Sequence, residues 1–236
     1  MPSVFRLSDP EETEVGVRLY GLEGTVIDKL LKARGYKPNE RCLLLGTVDG
    51  DKDFTRVVQR KVRQIAKKHG AMSTTAYVTK GWEHGRFMDP YLREDLQDYG
   101  IIIDTLECAV PWDRLEDVWA SARAFCKSRP KTICMSHSSH FYPQGTNLYF
   151  IFIAKMDGAE YLEYQPRIID HICKSGAAIS HHHGIGRMQA PWYEECLGTT
   201  ELNLLRAIKA HLDPNNILNP GGTLALDLPP EQKRQL

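Results

Sequence analysis

Lys131-Thr-Ile-Cys-Met-Ser-His-Ser-Ser-His140 and Thr146-Asn-Leu-Tyr-Phe-Ile-Phe-Ile-Ala154 stand on either side of the turn signal Pro143-Gln144-Gly145. Two β-prone runs about such a turn predict a hairpin. Leu148 to Ile153 is apolar on both faces, which places its strand inside a sheet rather than at an edge. Working outward, residues 101–110 form a long β-branched strand and 111–126 an amphipathic helix. Residues 160–174 read as helix and 177–182 as a further strand. Toward the N-terminus, residues 4–7 form a short strand. Ser8-Asp9-Pro10-Glu11-Glu12 then offers a cap, a first-turn proline and acidic first-turn residues. Residues 42–48 read as a buried-type strand. The stretch 51–69 carries Phe54, Val57, Val58, Val62, Ile65 and Ala66 at helical spacing, with Gly70 as its stop. Asp89-Pro90 opens another helix, and 200–212 is the last. Hairpins mixed with strand–helix–strand units predict an α+β fold, an antiparallel sheet with helices packed on one face. Residues 1–197 form the main unit, and 198–236 a short helical tail with turn signals at Asp213-Pro-Asn-Asn216 and Asn219-Pro-Gly-Gly222.

The 236 residues suffice for a substantial core. Thirty basic and thirty acidic residues cancel, so composition does not point to nucleic acid or an anionic membrane. No apolar run has the length of a membrane span, and the N-terminus carries no signal-peptide pattern. The closing residues are not the Ser-Lys-Leu address. A cytoplasmic location is expected, with which peripheral attachment to a membrane is compatible. Six cysteines without a CxxC pair indicate reduced thiols. There is no GxGxxG and no P-loop.

Ser180-His-His-His-Gly-Ile-Gly186 is the chemical signature of the chain. Imidazoles titrate near neutral pH and exchange protons, while glycine admits a flat ligand against the backbone. In a strand, His181 and His183 would share one site and His182 would face away. No Cys or Asp lies nearby in sequence to complete a tetrahedral set, so no metal is expected.

Read with the tail, His183-Gly-Ile-Gly186, Leu205-Arg-Ala-Ile-Lys209 and Asp213-Pro-Asn-Asn-Ile-Leu-Asn-Pro-Gly221 resemble the C-terminal part of FAD-linked oxidases of the vanillyl-alcohol-oxidase type. Within that group the triple histidine resembles the alkyldihydroxyacetonephosphate synthases, and the resemblance runs from Ser3 to Gly221. The D-2-hydroxyacid dehydrogenases of the superfamily carry two histidines and a glutamate, metal ligands in some of them. The matching positions here look like Tyr142, Tyr149 and His182, a poor hard-metal set that suits proton transfer.

The resemblance implies exchange of the acyl group of acyl-dihydroxyacetone phosphate for a fatty alcohol, on FAD acting as an electrophilic trap. Tyr149 matches the catalytic acid position. By itself it is a buried phenol in need of a hydrogen-bond partner, which a backbone carbonyl could supply. Arg6 matches an active-site arginine, although a carboxylate partner would equally explain a guanidinium among apolar neighbours. His181, His182 and His183 would move protons, with His182, His183, Gly184 and Asn219 toward the cofactor. Arg93 matches the arginine that reaches the substrate phosphate, and Thr105 and Tyr142 complete the substrate side. His137 and His140 read as core or hairpin histidines. Gly222 departs from the lysine common at its position.

Family members carry an FAD-binding domain before the Arg6 strand, so that domain is the expected partner, missing here or on a separate chain. A phosphorylated lipid is the expected substrate, and a homodimer follows by analogy. Alone, the chain is expected to be inactive and to bind flavin weakly. It would be a piece of a longer protein, a truncated reading frame or one half of a split enzyme. Two other readings stand beside this one: an FAD-linked oxidoreductase acting on a 2-hydroxyacid or alcohol, and a non-catalytic cap domain.

Overall fold

The computed structural model describes residues 2–222, 225 and 227–233; the C-terminal residues 234–236 lie outside the described residues. Five strands form one antiparallel sheet: β1 (Val4–Ser8), β2 (Leu43–Thr47), β3 (Ile101–Pro111), β4 (Ile133–Ser139) and β5 (Gly145–Lys155). Their order is β2-β1-β4-β5-β3. The hairpin expected around Pro143-Gln144-Gly145 is present, and β5 lies inside the sheet, paired with β4 and along its whole length with β3.

Alternation along β5 separates two faces. Leu148, Phe150 and Phe152 are buried with Leu106 and Cys108 of β3. They pack beneath α6 (Leu115–Ser128) and α7 (Gly158–Lys174), whose Val118, Ala122, Ile168 and Ile172 complete the core. Antiparallel pairs share a face, so the register also fixes the opposite side. Tyr149 stands between Glu107 and His137, and Arg6 is paired with Ser139, itself opposite Asn147. One face of the sheet is therefore hydrophobic foundation, and the other carries the polar groups.

Helix α1 (Pro10–Leu19) begins where expected: Asp9 accepts the backbone N–H of Glu12 at 2.7 Å, and Pro10 sits in the first turn. It takes over the flank of β4 where β1 ends, as the Asp9 N–H bond to Ser136 O continues the β1–β4 ladder. Helix α3 (Lys52–Lys68) forms as its Asp51 cap and periodicity predict, and helix α5 (Asp89–Gln97) opens at Asp89-Pro90 as expected, with proline in its first turn.

Three helices escaped the sequence reading: α2 (Val26–Ala33), α4 (Tyr77–Gly85) and α8 (Ala190–Leu197). Each is short; α2 carries Val26, Ile27, Leu30 and Leu31 at helical spacing behind a Thr25 cap, yet Val26, Ile27 and Leu30 stay exposed. Its anchor is electrostatic. Buried Arg41 bonds Asp28 of α2 at 2.7 Å and Glu14 of α1 at 2.6 Å. Helix α9 (Thr199–Leu212) follows α8 directly.

The strand expected over 177–182 is a correction. Only one bridge forms, Ala109 to Ala178, and the chain then bends away from β3. The N–H groups of His181 to His183, which a ladder would have used, are taken instead by one buried side chain described below.

Phe150 is 1% exposed at the centre of the core, whereas Ile65 on α3 is 60% exposed. Phe150→Ala is expected to destabilise the protein by about 3–5 kcal/mol, and Ile65→Ala by less than about 0.5 kcal/mol. Urea-unfolding midpoints of the two variants measure the contrast.

Candidate active site

The polar face is organised by Glu107, whose side chain is fully buried. Its Oε1 accepts the backbone N–H of His181 at 2.9 Å, of His182 at 2.6 Å and of His183 at 2.5 Å, and the Ser180 hydroxyl at 3.1 Å. Its Oε2 accepts Asn147 Nδ2 at 2.6 Å and lies 3.1 Å from His182 Nδ1. Burial alone would push this carboxyl up, but the N–H groups of His183 and His182, then the Asn147 amide, override it and hold the group at about 2. Three successive N–H groups converging on one oxygen form an anion-holding turn. In a strand they would point alternately to either side.

The histidines accordingly do not alternate. His182, expected to face away, brings its Nε2 within 3.2 Å of the Tyr149 hydroxyl. His183 meets the Tyr149 ring edge-on at 5.5 Å, and His181 Nδ1 lies 3.0 Å from His182 Nδ1. Tyr149 is 8% exposed, and burial raises its hydroxyl above the ordinary phenol value.

Two residues read as structural also touch it. His137 stacks on the Tyr149 ring at 4.2 Å and 17°. His140, held at φ 55 after β4, brings Nδ1 to 3.4 Å from the Tyr149 hydroxyl. Burial, and next the charges of His182 and His181, push the His140 ring below its ordinary value.

Arg6 reaches this group through His137. Its Nη2 donates to Glu12 Oε1 at 2.5 Å and lies 3.3 Å from His137 Nδ1, while Glu12 Oε1 and His137 Nδ1 are 3.0 Å apart. Burial pushes the His137 ring below its ordinary value, against the pull of Glu12. The carboxylate partner that chemistry demands for Arg6 is thus Glu12, and Arg6 Nε remains buried without a partner.

Tyr142 lies at the rim, its hydroxyl 3.0 Å from His181 Nε2. Thr105 is on the same face of β3 as Glu107, two residues away and half-buried. Arg93 is exposed on α5 and makes no hydrogen bond or ion pair to the cluster among the described residues. Asn219 sits in a loop that Arg187 ties down through the carbonyls of Pro220 and Gly221. A Cβ at Gly222 would meet the Asn219 amide, which would have to turn aside to admit it.

Glu107 and Asn147 were missed. The available signal was an acidic residue inside a β-branched strand, which burial forbids without partners. Two groups, His140–His181–His182 and Glu107–His182–His183, bring ligand-type atoms within 4.8 Å of one another. His140 is the third imidazole that linear spacing concealed. Within these groups, His182 Nε2, His140 Nδ1 and His181 Nε2 already face tyrosine hydroxyls, and Glu107 Oε1 holds four donors.

A family model described as FAD linked oxidases, C-terminal domain, matches residues 1–223. The chain belongs to this family. Among its relatives, the alkyldihydroxyacetonephosphate synthase of Dictyostelium discoideum is 31% identical over 238 residues, covering 93% of this chain and 39% of that protein. The Caenorhabditis elegans protein of the same name is 28% identical, covering 78% and 33%. A solved alkyldihydroxyacetonephosphate synthase structure superposes with a TM-score of 0.71 at 27% identity, over 93% of this chain and 39% of that one. The chain therefore spans about two fifths or less of the length of these relatives. The resemblance read from the histidine run and tail is borne out, as is the antiparallel α+β architecture.

The FAD-linked oxidases take FAD as their cofactor, and the residues present fit one. The exposed rings of His182 and His183 offer flat surfaces with ring nitrogens. Gly184, at φ 82, has no atom within 4 Å of where a Cβ would stand, leaving space for a planar ring against the backbone. No described helix is long and apolar enough to cross a membrane.

Because Glu107 is held below its ordinary value of 4.5, its contribution to stability is complete above about pH 4.5 and is lost as pH falls toward about 2. Glu107→Gln removes that acid-sensitive component. At neutral pH it is expected to accelerate amide exchange of His181 to His183 about tenfold, the value of one charge-assisted bond. Hydrogen-exchange mass spectrometry on the segment, with acid unfolding of both proteins, reads the two effects.

Proposed function

We propose that this chain is the substrate-side, C-terminal part of an alkyldihydroxyacetonephosphate synthase-like flavoenzyme. The reaction replaces the acyl group of acyl-dihydroxyacetone phosphate by a fatty alcohol in ether-lipid synthesis. The observation that carries this reading is the Tyr149 hydroxyl, 3.2 Å from His182 Nε2 and 3.4 Å from His140 Nδ1, beside an open histidine rim. It lies in a chain 31% identical to one such synthase.

Tyr149 is the general acid/base, exchanging a proton at its hydroxyl with His182 Nε2. Arg6 acts on it from behind, through the Glu12–His137 pair. His181 passes protons between the cluster and the rim, where Tyr142 meets it. His182, His183, Gly184 and Asn219 face the cofactor. Bound FAD supplies an electrophilic ring at which the substrate carbon can exchange its oxygen substituent without net oxidation. Arg93 takes the substrate phosphate, arriving from α5 as a planar fork suited to that group, and Thr105 and Tyr142 line the approach. Residues 1–197 are the substrate unit and 198–236 the tail that packs on the FAD-binding domain. That domain, the phosphorylated lipid and a second copy of the chain are its partners. The site needs no metal, and the chain alone is inactive.

The test is co-expression with an FAD-binding domain, followed by an assay for acyl-to-alkyl exchange. Tyr149→Phe is expected to lower kcat by about 10²–10⁴-fold. Turnover close to wild type in that variant would remove Tyr149 from the chemistry. Reduction of bound flavin by a 2-hydroxyacid, with no exchange, would replace the synthase reading by an oxidoreductase.

A further inference from the structure

We propose that Cys173 and Cys196 are a redox-active pair: hydrogen peroxide joins them in a disulfide that ties α8 to α7 and closes a covalent loop around the histidine segment. The inference is independent of the synthase reading.

Cys108, Cys126 and Cys134 are free but buried, and Cys42 is free and exposed. Cys173 and Cys196 combine access with a partner. Cys173 lies in the last turn of α7, half-buried, and Cys196 in the last turn of α8, exposed. Their sulfurs are hydrogen-bonded at 3.2 Å although 23 positions separate them in the chain. Bonding needs a further approach of about 1 Å, a movement of the size of a side-chain torsion rather than of a helix displacement. Cys126 and Cys134 are hydrogen-bonded to one another as well. Both are fully buried in the core, which shields them from an oxidant.

The two thiols are not equivalent. Burial, and next the hydrogen bond to Cys196, push the Cys173 thiol well above its ordinary value. Cys173 therefore keeps its proton and is the donor of the pair. Cys196 accepts that bond and stands in solvent, where it meets the oxidant first.

The chemistry balances with the peroxide as sole co-reactant. Attack of the Cys196 sulfur on one peroxide oxygen forms an S–O bond, breaks the O–O bond and releases water, leaving a sulfenic acid. The Cys173 sulfur then attacks the Cys196 sulfur. An S–S bond forms, the S–O bond breaks, and the hydroxyl leaves with the Cys173 proton as a second water. Each sulfur gives up one electron, and the peroxide takes two.

The bridge would enclose the segment on which the site depends. Between the two cysteines lie His181 to His183 and Gly184-Ile-Gly186. Glu107 holds the backbone of the three histidines. Beyond them, α8 is seated by buried Ala190 and Trp192, with its cysteine unbridged. A disulfide would add a covalent tie from α8 to α7, whose Ile168 and Ile172 belong to the core.

The experiment treats the full chain with hydrogen peroxide, blocks remaining thiols by alkylation after unfolding, and maps the peptides by mass spectrometry. A Cys173–Cys196 bridge that dithiothreitol reverses is expected, with Cys108, Cys126 and Cys134 recovered as thiols. The bridged chain is expected to melt about 5–10 °C higher, and amide exchange over 184–197 to slow about tenfold. In Cys173→Ser, Cys196 is expected to stop at the sulfenic acid, trapped by dimedone, with neither gain. Cys196→Ser, at an exposed position, is expected to leave Cys173 a thiol under the same treatment. Oxidation of wild-type Cys196 beyond the sulfenic acid without a bridge overturns the proposal. So does a bridge that leaves melting and exchange unchanged, because the pair would then not fasten the segment.

Discussion

A buried carboxylate that three consecutive backbone N–H groups and a side-chain amide all address is the constraint on which the rest of this site depends. Glu107 stands in the interior of β3, a position where an isolated charge would be prohibitively costly. It is tolerated because the 180–183 segment folds around it. The dependence runs in both directions. The loop has no ladder to join once it passes Ala178, and its N–H groups need an acceptor as much as the carboxylate needs donors. Each half satisfies the other, and the bonds tie the backbone of all three histidines to one carboxylate oxygen.

The sheet converts this local bargain into a site. Because paired residues share a face, the register that sets Glu107 beside Tyr149 also sets Tyr149 beside His137. The opposite face is spent wholly on packing, with Phe150 and Phe152 beneath α6 and α7. Tyr149 is thereby fixed by neighbours in sequence that are immobile. A phenol whose position is set by core residues, and whose hydroxyl meets groups on two separate loops, has little rotational freedom left to lose on binding a substrate.

How much of this the sequence discloses follows from the range of each interaction. The hairpin, the capped α1 and the long α3 are announced within a dozen residues by turn chemistry, an Asp-Pro cap and a 3.6-residue stripe. The family resemblance likewise rests on contiguous motifs, and it located Tyr149 and the histidines correctly as neighbours. The 177–182 segment was misread because its β-like composition is local, whereas the acceptor that diverts it is more than seventy residues upstream. His140 looked like a hairpin residue, and it is one. Its place in the cluster becomes visible only when the turn is folded back over β5. Helix α2 did carry a local signal, a Thr25 cap and apolar residues at 26, 27, 30 and 31, but what holds it is an ion cluster with Arg41 rather than burial of that stripe.

Arg6 shows the same principle at longer range. Its strand was legible and its need for a carboxylate was foreseeable, but the partner turned out to be Glu12, six residues on in the first turn of α1. That choice matters for chemistry. A carboxylate shared between Arg6 and His137 offsets the guanidinium charge behind the Tyr149 ring, and burial lowers the tendency of His137 to take a proton. The rear of the phenol is thus a compensated, rigid wall, while its hydroxyl faces the rings of His140 and His182. The asymmetry arises at the end of β4, where the buried His137 in the strand and the rim residue His140 just past it stand three positions apart, both against one side chain from β5.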